Sequence, residues 1–66
     1  MKLLFIISTD DPETIYNAMR LANVAVKKGD EVIVFMLGKA VTFEKLPTEP
    51  FNFMEQINAF QGDFYV

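Results

Sequence analysis

The sequence predicts an α/β fold, a βαβαβ unit built on a parallel sheet, and three observations carry that expectation. Two apolar runs without alternation, residues 3–7 and 32–37, have the pattern of strands buried on both faces. Between them, residues 12–28 place apolar side chains at helical spacing and specify both helix ends. Finally, "GDFYV" near the carboxyl terminus repeats the glycine, acid and apolar run of "GDEVIVF".

Taken in order, the first strand follows Lys2 and runs through "LLFII". The helix comes next, with Asp11 as N-cap, Pro12 at the first helical position and Glu13 complementing the dipole in the first turn. At its other end Lys27 and Lys28 face the negative pole, and Gly29 supplies a left-handed C′ residue. Ile15, Met19, Ala22 and Val26 form the apolar stripe, which Ala18, Leu21 and Ala25 widen toward a sheet. Asn17, Arg20, Asn23, Lys27 and Lys28 leave a narrow wet face that also carries Tyr16 and Val24.

The second strand follows at once, so strand, helix and strand make a right-handed βαβ crossover. After Gly38, "KAVTFEKLPTEPFN" reads as a loop, because Pro47 and Pro50 bias their preceding residues away from helix. A short helix is expected over 53–60, with Asn52 as N-cap and Glu55 at N3, and a third strand over 64–66. A parallel strand there calls for a further covering helix. Residues 1–66 are therefore expected to form a single domain that is the N-terminal, truncated part of a larger one.

Composition narrows the partners. The net charge is -3 and the six basic residues are scattered, which argues against nucleic acid and anionic membrane. With no Cys, a disulfide framework and a thiolate metal site are excluded, and the lack of His removes the commonest zinc ligand. "MKLLFIIS" has too short an apolar run for a signal peptide, and no segment reaches the ~20 apolar residues of a membrane span, so a cytoplasmic location is expected. At 52% hydrophobic and 14% aromatic, the chain has more apolar material than a 66-residue core uses. Either another chain or the rest of a larger domain is expected to cover the surplus. The aromatics Phe43, Phe51, Phe53, Phe60, Phe64 and Tyr65 read as core or subunit interface, since no basic groove accompanies them.

The site-like stretch is "STDDPE", where the carboxyl end of a strand meets a helix N-terminus, the crevice in which open α/β sheets bind ligands. One reading is Mg²⁺ held by carboxylates, or a polar wall beside a reactive group supplied elsewhere. The other is helix capping, which accounts for Asp11, Pro12 and Glu13. Ser8, Thr9 and Asp10 remain as crevice-lining candidates, joined by Gly38 and Lys39 at the end of the second strand. The last two also read simply as a turn glycine and a solvated lysine. No catalytic, cofactor-binding or metal-binding residue is assigned.

The string "KLLFIISTDDPETIYNAMRLANVAVKKGDEVIVFMLGKAV" resembles the opening of the DsrE/DsrF-like family, and the similarity continues through "FNFMEQINAF" into "GDFYV". That resemblance implies a three-layer α/β/α domain with a flavodoxin-like parallel sheet, assembled as a trimer or hexamer. For some members it also implies sulfur relay, with a persulfide carried on a cysteine just past the third strand and passed to a sulfur-carrier protein. No cysteine here takes that role, so this chain alone is expected to be inactive. A non-enzymatic, homo-oligomeric assembly module is the alternative. The first acidic pair also resembles that of receiver domains, in which Asp10 and Asp11 would hold Mg²⁺ and a phosphoacceptor aspartate would lie past Val66.

Overall fold

In a computed structural model describing residues 1–66, the strands are β1 (Lys2–Ile7), β2 (Glu31–Met36) and β3 (Asp63–Tyr65). All pair parallel in the order β1-β2-β3, with Lys2 opposite Glu31, Ile7 opposite Met36, and Phe35 opposite Tyr65. Helix α1 (Pro12–Lys27) links β1 to β2, and helix α2 (Phe53–Ala59) precedes β3.

Local chemistry sets the ends of α1. Asp11 is extended and its carboxylate accepts from the Thr14 N–H. At the carboxyl end Gly29 adopts φ +93, which only glycine takes without strain. The Gly29 N–H then donates to Val26 and the Asp30 N–H to Ala25, the paired bonds of a Schellman closure. That turn delivers the chain directly into β2.

Because successive strands are added in one direction and such crossovers are right-handed, α1 and α2 fall on the same face of the sheet. They pack against each other, and α1 packs on β1 and β2. Asn23 ties the helices together, its side-chain amide donating to the Gln56 carbonyl at 2.9 Å and to Gln56 Oε1 at 3.1 Å. Beneath them Ile15, Met19 and Ala22 meet Val32, Val34 and Met36, with Phe53 of α2 fully enclosed. Burying each of the larger side chains contributes about 1.5–3 kcal/mol.

Three expectations change. The strands are covered on one face only: Leu4 and Ile6 are each 60% exposed, Tyr65 51% and Phe35 38%. Leu21, expected against the sheet, is also 60% exposed. It lies where α1 overhangs β1, the last strand on that side. Residues after Gly38 are not a loop but a 3₁₀ helix, Gly38–Lys45. Its three-residue period sets Ala40 and Phe43 on one buried side, and Phe43 meets Phe64 of β3 at 5.8 Å between ring centroids. Leu46, extended ahead of Pro47, ends it.

Two substitutions test this packing. Phe53→Ala removes about 3–5 kcal/mol, as much as a core of this size supplies, and should abolish the cooperative thermal transition seen by circular dichroism. Gly62→Ala places a Cβ 2.5 Å from the Val32 carbonyl oxygen, so it should lower the melting temperature, and an unchanged value would contradict that close approach.

Candidate functional site

The carboxyl ends of β1 and β2 are held side by side past the last ladder residues. The Leu37 N–H donates to the Ile7 carbonyl at 2.8 Å, so Ser8 and Gly38 leave the sheet together. A Cβ built on Gly38 would lie 3.7 Å from the Ser8 carbonyl oxygen. Gly38 takes φ +55 to turn the chain from β2 into the 3₁₀ helix. This adjacency brings the two sequence-predicted groups, Ser8 to Asp10 and Gly38 with Lys39, to one edge of the sheet.

Within that edge the side chains divide by task. Thr9 Oγ1 accepts from the Asp11 N–H at 3.1 Å, closing a local turn. Asp11 Oδ2 accepts twice, from the Thr14 N–H at 3.1 Å and the Thr14 hydroxyl at 2.7 Å. Pro12 and Glu13 occupy the first turn of α1. Thr9 and Asp11 are thus engaged in building the helix start. Ser8, Asp10 and Lys39 are exposed, and their side chains hold no hydrogen bond or ion pair. They are a polar wall without a partner.

No group of three or more acidic side chains gathers as a metal-ligand set. Nor do Ser8, Thr9, Asp10, Gly38 or Lys39 line any of the three surface hollows. One hollow lies between α1 and α2 at Asn23 and Gln56, and a second runs along α1 at Asn17, Arg20, Leu21 and Val24. The third, about 340 Å³, is mainly apolar and opens between α1 and β1, over Leu3, Phe5, Leu21 and Val24.

That apolar margin is what sequence reasoning missed. The signal available was Val24, an apolar residue among polar ones on the outer face of α1. Tyr16, placed by the sequence on the wet face of the helix, is half-buried against Phe51, with ring centroids 5.7 Å apart, and Arg20 lies over its ring.

Comparison with protein-family models, with curated proteins and with solved structures finds no match to this chain.

The division of labour at the edge predicts contrasting stabilities. Asp11→Ala should cost about 1 kcal/mol through the lost cap, a drop in melting temperature of about 4–8 °C for a domain of this size. Asp10→Ala should leave the transition within about 0.5 kcal/mol of the parent. Equal losses in thermal denaturation would contradict this separation of roles.

Proposed function

We propose that this chain is a DsrE/DsrF-like subunit that works within a cytoplasmic homo-oligomer, where it supplies one wall of a sulfur-relay site. The observation that carries the reading is the adjacency of the β1 and β2 carboxyl ends, which the bond from the Leu37 N–H to the Ile7 carbonyl, at 2.8 Å, holds side by side. It leaves Ser8, Asp10 and Lys39 free to face a reacting group. The chain has no cysteine, and no other side chain in it forms a persulfide. The sulfur-bearing thiolate therefore belongs to sequence outside these 66 residues. In this reading Lys39 stabilises the thiolate or persulfide anion, while Ser8 and Asp10 keep the wall wet and polar.

A second reading, a non-enzymatic assembly module, is favoured by a separate observation. Leu4, Ile6, Phe35 and Tyr65 lie exposed on one sheet face, and Leu21 and Val24 on the margin of α1. A receiver-type Mg²⁺ site has less support, because the carboxylate of Asp11 is already engaged by Thr14.

Sulfane-sulfur analysis of the native assembly separates the three. The expected result is a persulfide on a cysteine of polypeptide that purifies with this chain, transferred more slowly when Asp10→Ala and Lys39→Ala are combined. An acyl phosphate formed from acetyl phosphate and Mg²⁺ would establish the receiver reading instead. An assembly carrying neither group would leave the structural module.

A further inference from the structure

We infer that residues 46–52 form a strap beside the carboxyl edge, latched open by Phe51 on Tyr16, and that on release the strap brings Glu49 to Lys39 as an autoinhibitory contact. This rests on the reading above that Lys39 holds an anion at that edge, and it names how access to the lysine is regulated.

The strap is fixed at its ends and nearly untied between them. Leu46 packs against the core, and its N–H donates to the Phe43 carbonyl at 3.2 Å. Asn52 caps α2, its side chain accepting from the Glu55 N–H at 3.1 Å, and Phe53 behind it is fully buried. In between, the N–H groups of Thr48, Glu49 and Phe51 donate no hydrogen bond within the chain, and Pro47 and Pro50 have none to give. Phe51 stands outside the hydrophobic core and is held by Tyr16. A segment so lightly tied opens locally long before the fold does. Its outward residues, Pro47, Glu49 and Pro50, include no large apolar side chain that calls for cover from elsewhere.

This segment lies at the end of the fold that holds the candidate site. Helices α1 and α2 each cross between parallel strands, so each begins at the carboxyl edge. Phe51, just ahead of α2, meets Tyr16 in the second turn of α1, with ring centroids 5.7 Å apart. With the strap seated there, Ser8, Asp10 and Lys39 are all exposed. The latched strap is therefore the open state.

Charge and reach define the closed one. Lys39 and Glu49 are both exposed and neither is in an ion pair. The 3₁₀ helix carries the chain about 14 Å from Lys39 to Leu46, at about 2.0 Å per residue. Three extended residues return about 10 Å from Leu46 to Glu49, which leaves about 4 Å for two long side chains to span. Swung into solvent the strap meets nothing, whereas swung back along the 3₁₀ helix it meets a free cation. Glu49 then occupies the ammonium that a persulfide anion needs, and an anion arriving at the edge displaces the strap by the same competition.

Amine acetylation of the native assembly with acetic anhydride, read site by site by mass spectrometry, tests the proposal. An aromatic pair holds such a latch by about two- to tenfold. Phe51→Ala should therefore slow labelling of Lys39 about twofold or more relative to Lys2 and Lys27, with amide exchange showing α1 still protected. Adding Glu49→Gln should restore the parent rate. An unchanged Lys39 rate in folded Phe51→Ala would overturn the strap. Slowing that survives Glu49→Gln, or that falls on Lys45 in place of Lys39, would overturn the autoinhibitory pair. None of these readouts involves sulfur. An assembly that carries persulfide but shows no change at Lys39 defeats the strap alone, and slowed labelling in an assembly without persulfide defeats the sulfur-relay reading alone.

Discussion

The handedness of two crossovers is the constraint on which the rest of this structure depends. Strands added in the order β1-β2-β3, each reached through a right-handed connection, put α1 and α2 on a single face. The core is the space between those helices and that face, where Met19, Val34, Met36 and Phe53 are fully enclosed. The same constraint strips the opposite face. Leu4, Ile6, Phe35 and Tyr65 have the chemistry of buried strand residues and the exposure of surface ones. The hydrophobic surplus in the composition therefore has a place: it lies on the uncovered face of the sheet and along the overhanging margin of α1.

Within the covered layer, a few directional contacts turn hydrophobic adhesion into one arrangement. The Asn23 side-chain amide donates to both oxygens of Gln56 and fixes how α2 sits on α1. Phe43 against Phe64 couples the 3₁₀ helix to β3, and Tyr16 against Phe51 returns the following segment to α1. The ion pairs do less. Lys2 with Glu31 spans 3.3 Å between exposed side chains, where solvent screening leaves little net stabilisation.

The carboxyl edge follows from the same economy of contacts. Thr9, Asp11 and Thr14 bond to one another, so the acidic character of "STDDPE" is partly consumed in starting a helix. Ser8 and Asp10 are left over, and the parallel pairing of β1 with β2 brings Gly38 and Lys39 beside them. An open wall of this kind acts only on a group presented to it. That is why the proposed chemistry is that of an assembled subunit rather than of a solitary chain.

Local sequence determined the elements and their ends. Asp11 before Pro12, Gly29 after Lys28 and Asn52 before Glu55 state their caps in the residue types themselves, because capping needs only neighbours in the chain. The strands were legible as apolar runs, and the crossovers as their alternation with α1 and α2. The 3₁₀ helix was not, since Pro47 and Pro50 beyond it announced an irregular segment and the burial of Ala40 and Phe43 is settled by packing between elements. Burial was the other matter left to tertiary structure. "LLFII" and "VIVFML" read as buried on both faces, and Leu21 as facing a sheet, because an apolar run records what a strand prefers and not what stands opposite. Strand order and crossover hand decided that Leu3 and Phe5 would lie on the helical side while Leu4 and Ile6 lie bare, since exposure is a relation between elements and no single segment contains it.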